Sequence, residues 1–211
     1  MNESSVLKAL EEVRKAPKRK FTQTIDLIAI LQNVDFKIPA NKIDLKIILP
    51  SGRGKDIKVG VFGDTDFLSK AKTADLKISD KELRKSPKEI RKVAESMDYF
   101  IAQTTLMVEI GKNWGKFLST RGKMPQPMPP GADPTALIMR LKNTASMRSR
   151  GNTPQSLSCA IGVESMKDEE LVKNFMAIYN ALLEKLPGRE NNLKTIIIKT
   201  TMGAPVKLQL N

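Results

Sequence analysis

The chain has 211 residues with 36 basic and 23 acidic side chains, for a formal charge of +13. An excess of this size points to a polyanionic partner, with nucleic acid ahead of a merely basic surface. The absence of histidine excludes a Ser-His-Asp triad, a Cys-His pair and any His-based metal site, and the single Cys159 can form neither an internal disulfide nor a cysteine-rich zinc site, as suits a reducing cytosol. No run approaches the ~20 apolar residues that span a bilayer, and the charged start of the chain lacks the apolar core of a signal peptide. No catalytic group, metal, cofactor or membrane partner is therefore expected.

Val6, Leu7, Leu10 and Val13 recur at helical spacing and predict an amphipathic helix over residues 4–16, ended by Pro17. Arg14, Lys15, Lys18, Arg19 and Lys20 then cluster before a predicted strand from Phe21 to Leu31, whereas a solvated tail need not lead into regular structure. A second strand is predicted over 42–49, and Pro50-Ser51-Gly52-Arg53-Gly54 breaks it. Beyond the break the elements alternate. Ile57 to Phe62 is a strand, 65–73 a helix, 75–78 a strand, and 87–96 a helix opened by Ser86-Pro87. Residues 98–102 are a strand and 104–112 a helix, and a further helix over 134–142 follows Pro125, Pro127, Pro129 and Pro130. From Met147 the style changes back, with a strand over 155–163 and a helix over 168–186 closed by Pro187-Gly188. Strands over 193–200 and 205–210 flank Thr201-Met202-Gly203.

The fold class expected is α/β and α+β in two domains. Residues 1–54 and 147–211 form a split α+β domain, and 57–144 an inserted Rossmann-like three-layer α/β domain. Hinges near 51–56 and 144–149 join them, because few residues need change φ/ψ there.

The charge is uneven: residues 1–55 carry a net +5, 56–111 carry zero, and 112–150 carry +7. Phosphate-loop motifs fail. Gly52-Arg53-Gly54 has Ile57 where a dinucleotide fingerprint needs its third glycine, and six residues separate Gly115 from Gly122, with Met124 after Lys123 in place of Ser or Thr. These glycines suit hinges and turns. Asp64 and Asp66 follow a strand end, but Thr65 or Asp66 capping the next helix explains them better than paired acid/base carboxylates. Cys159, in an apolar run, is expected in the core. Lys116 to Gln126 gathers cations and hydroxyls in a loop, suited either to phosphate oxygens or to a polar connection between domains; Arg121 and Lys123 would be its contacts. The turn Lys199-Thr200-Thr201-Met202-Gly203 is the sharpest feature. Its hydroxyls can bond phosphate or a 2′-hydroxyl, Gly203 permits close approach, and Met202 at the tip can pack on a ribose or base; the plainer reading is an ordinary hairpin turn. Phe21 and Thr24 pose the same choice, since Phe21 either stacks on nucleic acid or begins the core.

Three segments carry a family resemblance. Lys20 to Asp26, Phe117 to Gln126, and Lys199 to Gly203 followed by Ala204-Pro205-Val206 resemble the first strand, the signature loop and the closing motif of the large-subunit ribosomal protein one family, in its archaeal form. The likeness extends over essentially the whole chain, although Ser119-Thr120 stand where a Gly-Pro pair is common. The resemblance implies binding to structured large-subunit rRNA on the ribosome, mainly through the domain built from the chain ends. Carried over by position, Phe21, Thr24, Thr201, Met202 and Gly203 are RNA contacts, Thr195 supplies a small hydroxyl on the preceding strand, and Lys20 supports them. It also implies a stalk that escorts deacylated tRNA from the exit site, repression of the protein's own mRNA, and a cytoplasmic protein that is monomeric when free. Two rivals remain at this level: an enzyme holding a phosphorylated small molecule in an interdomain cleft, and an RNA-binding regulator that never joins the ribosome.

Overall fold

A computed structural model describes residues 3–15, 17, 19–36, 38, 41–149 and 155–208. In chain order the elements are α1 (Glu3–Arg14), β1 (Thr24–Leu31), β2 (Asp44–Ile48), β3 (Val59–Phe62), α2 (Thr65–Lys70), β4 (Leu76–Ile78), α3 (Pro87–Ser96) and β5 (Tyr99–Gln103). There follow α4 (Met107–Asn113), α5 (Gly115–Ser119), β6 (Gln126–Met128), α6 (Pro134–Lys142), β7 (Thr144–Arg148), β8 (Ser156–Val163), α7 (Asp168–Lys185), β9 (Leu193–Thr200) and β10 (Val206–Leu208). The chain divides into two compact units, Met1–Lys55 with Asn143–Asn211, and Asp56–Lys142.

In the first unit, β1 alternates without exception: Ile25, Leu27, Ala29 and Leu31 are buried, while Thr24, Asp26, Ile28 and Ile30 are partly exposed. That pattern marks a sheet covered on one face only. The sheet runs β10-β9-β1-β8 and is antiparallel throughout. Helices α1 and α7 pack beneath it, burying Val6, Leu10, Phe175 and Ile178 against the inward row. Three acids in the first turn of α7, Asp168, Glu169 and Glu170, complement its dipole. A second ladder, β2 with β7, closes the same core through Ile47, Ala145 and Met147.

Asn174 of α7 is fully buried, yet every polar atom of its side chain is paired. Its Oδ1 accepts from the Ser51 amide at 3.0 Å, and its Nδ2 donates to the carbonyls of Gly52 and Ile161, each at 2.8 Å. The helix is thereby tied to β8 and to the bend after β2. Gly52 and Gly54 shape that bend with φ of 72° and 69°, and a Cβ at Gly54 would come within 2.5 Å of Val163 Cγ2.

The second unit holds a parallel sheet ordered β4-β3-β5-β6. All four residues of β3 are buried because both faces are covered. Phe62 and Phe100 point into a core with α3, α4 and α5, whereas Val59, Val61 and Ile101 point into one with α2 and α6. Trp114 anchors the first of these cores. It lies edge-on to Phe62 at 5.1 Å and donates its indole N–H to the Leu83 carbonyl at 2.9 Å.

Several local expectations need correction. β1 begins at Thr24 and not at Phe21, so residues 21–23 are a lead-in. The stretch 144–149, expected as a hinge, is mostly strand β7, because Thr144 to Arg148 pair along the whole of β2 and bury Ala145 and Met147; the units divide before it, between Lys142 and Asn143. The expected 116–126 loop starts as a helix, α5, since Trp114 and Leu118 both seek the core. The expected helix over 104–112 opens as a 3₁₀ turn over Thr104–Leu106. Asp64, and neither Thr65 nor Asp66, occupies the cap position of α2, and its side chain makes no capping bond. Of the expected final strand, residues 209–210 lie outside the described residues.

Replacing Asn174 with Ala leaves one amide and two carbonyls unpaired. The expected loss is roughly 3 kcal/mol of stability in urea unfolding. A loss below about 1 kcal/mol, the size of a single ordinary hydrogen bond, would show that the bend does not depend on this side chain.

Candidate nucleic-acid interface

One end of the β1–β8–β9 sheet gathers most of the predicted contact residues. β9 ends at Thr200, and the chain turns through Thr201, Met202 and Gly203, with the Gly203 amide closing the turn on the Thr200 carbonyl at 3.2 Å. Three hydrogen bonds join this turn to the start of β1. The Thr201 amide donates to the Thr24 carbonyl at 3.0 Å, the Thr24 amide donates to Thr201 Oγ1 at 3.3 Å, and Thr201 Oγ1 donates back to the Thr24 carbonyl at 3.2 Å. A fourth comes from Gln23, whose Oε1 accepts from the Met202 amide at 3.1 Å. Gln23 is 2 % exposed, and its own carbonyl accepts from the Glu164 amide at 2.9 Å. The backbone of the turn is thus fixed from within.

The side chains it displays are not packed. Met202 is 61 % exposed and Phe21 is 53 % exposed, so two large apolar groups stand in solvent at the same end of the sheet. Scattered exposed apolar residues are ordinary. Two at one end of a sheet, one of them on a hydrogen-bonded turn and both beside cations, form a surface that presents apolar area to a partner. Lys20 and Arg19 are exposed next to Phe21 and, with Arg14, Thr22, Glu164 and Ser165, line an open hollow of about 370 Å³.

Thr195 is placed elsewhere. It sits six residues back along β9, about 20 Å at the rise of an extended strand, and opposite Ile30. Its hydroxyl donates to the carbonyl of Lys194 at 2.7 Å. It nevertheless shares the outward row of β9 with Ile197 and Lys199, all partly exposed, and so belongs to the same open face. Asp26 lies on this face too, across from Lys199. Burial pushes its carboxyl above the usual range, while Lys199 and Arg53 pull it down.

Several cations of the sequence clusters have internal duties. Arg14 donates to the Asp168 carboxylate at 2.7 Å and to the carbonyls of Glu164 and Met166 at 2.7 and 2.6 Å. It clamps the loop after β8 and is not a free phosphate ligand. Arg121 pairs with Glu95, and Lys123 donates to the carbonyls of Ala94 and Met97 at 3.0 and 2.6 Å, capping the end of α3. Both are bonded within the second unit, and Arg121 is also exposed. Lys18 of the N-terminal cluster lies outside the described residues. Gln23 and Arg14 brace the site through their bonds to the turn and to the loop after β8, and sequence reasoning does not find them in that role; the one signal is a glutamine two residues after the exposed Phe21, just ahead of an apolar strand.

Burial pushes the Cys159 thiol up to about 12, as expected for an inert core residue. Among the described residues no group of three or more Cys, Asp or Glu is placed to hold a metal ion, and no helix is long and apolar enough to cross a membrane.

The sequence profile of the family described as "Ribosomal protein L1p/L10e family" matches residues 12–204. The chain is 40% identical over 206 residues to the large ribosomal subunit protein uL1 of Picrophilus torridus, covering 96% of this chain and 95% of that one. It is 39% identical over 214 residues to the protein of the same name from Thermoplasma acidophilum, covering 99% and 98%. The Pyrococcus horikoshii protein of that name is 34% identical over 210 residues, covering 97% and 95%. A chain that matches over nearly its full length belongs to the ribosomal protein L1p/L10e family, archaeal in type, whose members are structural proteins of the large ribosomal subunit and not enzymes.

Proposed function

We propose that the protein binds large-subunit rRNA through the open face and the Thr201–Gly203 end of its first unit. The observation that carries this reading is the exposed Met202, held on a turn whose own backbone bonds are already made, with the exposed Phe21 two residues ahead of the Gln23 that braces that turn. Such a surface needs little ordering on binding, so its contacts are not offset by the entropy of fixing a loop. Phe21 offers a ring for a splayed base and Met202 a flat apolar contact for a ribose. Gly203 lets the RNA backbone approach the turn. Thr201 and Thr24 hold the frame, and the row Lys199, Ile197 and Thr195 extends the footprint along β9. Arg19 and Lys20 contribute the salt-sensitive part through phosphates.

On this reading the protein works in the cytoplasm on the ribosome and is monomeric when free. Deacylated exit-site tRNA and the protein's own mRNA are further RNA partners, the first escorted out by the stalk and the second repressed through the same surface. The domain assignment belongs to the same proposal: the unit built from the chain ends binds RNA, and the connections near 51–56 and beside β7 act as hinges.

Met202→Asp is the cleaner test, because only the backbone of Met202 is bonded. Affinity for a large-subunit rRNA fragment should fall at least about 30-fold, the size of a binding hot spot, with thermal unfolding unchanged. Unaltered affinity would remove the turn from the interface. Thr201→Val loses only the two hydroxyl bonds to Thr24, keeping the backbone one, and should cost about 1 kcal/mol of stability, so it is informative only beside Met202→Asp. Replacing Arg19 and Lys20 with Gln should lower the slope of log affinity against log salt by about 1.4–1.8, since each phosphate contact contributes about 0.7–0.9. An unchanged slope would take these two cations off the RNA.

A further inference from the structure

Residues 56–111 carry ten basic and ten acidic side chains and the stretch from Lys112 is basic, so composition alone does not say which cations of the second unit face outward. The fold sorts these charges. Helix α3 packs on α5, α4 packs on α5, and α4 also meets the 3₁₀ turn over Asp80–Arg84, which makes one helical corner of the second unit. The acids of that corner are engaged internally. Glu95 pairs with Arg121, Glu109 lies 3.8 Å from Arg84, Glu82 lies 3.6 Å from Lys85, and Glu89 accepts from the Ser86 amide at 3.1 Å in the cap of α3. Lys88, Arg91, Lys112 and Lys116 are exposed, and none of them has a carboxylate partner among the described residues.

We propose that this corner is a second RNA surface, one that takes phosphates through Lys88, Arg91, Lys112 and Lys116 without regard to base sequence. Lys88 and Arg91 are three apart on α3 and share a face. Lys112 and Lys116 lie either side of the buried Trp114, which anchors both of their helices to the core. The guanidinium of Arg91 is held 5.9 Å from the ring centre of Phe117, so one cation of the set is a planar group already supported on its far side. That arrangement suits a nucleic-acid backbone with a neighbouring base. A lipid surface fits less well, because α3 turns Ile90 and Ala94 into the core and leaves no apolar stripe to enter a bilayer. This second surface rests on the RNA-binding reading but uses a different unit and different residues.

The test uses the full chain with poly(U) as a sequence-neutral probe, titrated between low and moderate salt. Lys88→Gln, Lys112→Gln and Lys116→Gln together should lower the slope of log affinity against log salt by about 2, at about 0.7 per single-strand phosphate. Lys58→Gln, Lys72→Gln and Lys77→Gln, an equal loss of charge on exposed lysines elsewhere in the same unit, should leave it unchanged. Arg91 is left in place, so its packing on Phe117 is undisturbed. Equal slopes for the two triple variants would overturn the proposal, because net charge alone would then be the cause. So would a corner variant that keeps its poly(U) slope but loses binding to anionic phospholipid vesicles. Met202→Asp reports separately on the turn. If it leaves rRNA affinity untouched while the corner triple lowers the poly(U) slope, the turn falls and the corner stands; the converse result removes the corner and keeps the turn.

Discussion

Two threonines 177 residues apart join the turn after β9 to the start of β1. Thr201 bonds both the amide and the carbonyl of Thr24, and only because β1 lies between β8 and β9 can the turn after β9 meet the segment before β1. This link brings residues from the two ends of the chain to one end of one sheet, where its two central strands meet. The whole inserted unit lies in the loop it closes. Closing so long a loop costs only slightly more entropy than closing a moderate one, since the cost grows with the logarithm of length. The inward row of β1, fully buried, more than offsets it. Everything proposed for the first unit follows from that link, because it leaves the turn's backbone satisfied and its side chains free.

The cations show how a fold assigns roles that composition cannot. Arg14, Arg121 and Lys123 look in sequence like the neighbouring residues that face solvent. In three dimensions each ends on carbonyls or a carboxylate of its own unit. A guanidinium with several donors suits such a clamp, and an ammonium suits the electronegative end of a helix. The basic groups left without partners are then a smaller and better-defined set than the total charge suggests.

Much of the fold is legible from residue patterns. A strand ending at Leu31, the helix over 168–185 stopped before Pro187-Gly188, and the strand-turn-strand around Thr201 match expectation, because local pattern and long-range packing agree there, whereas the one-sided burial of β1 is not legible, since Ile28 and Ile30 are as apolar as the residues that turn inward. β7 is not legible: Thr144-Ala145-Ser146-Met147-Arg148 is a weak strand by propensity and becomes one by pairing with β2, about a hundred residues earlier in the chain. Nor is α5, which opens with a glycine and is held by Trp114 and Leu118. At the site, the exposed Phe21, Met202 and Thr201 can be named from sequence, but the buried Gln23 that braces the turn cannot. Its role depends on a contact with a residue 179 positions away.

Ultraviolet crosslinking of native ribosomes, followed by mass spectrometry of the RNA-bearing peptides, reads the central claim directly. The account predicts nucleotide adducts on the peptides that contain Phe21 and Met202. Adducts confined to residues 56–142, with none at Phe21 or Met202, would contradict it.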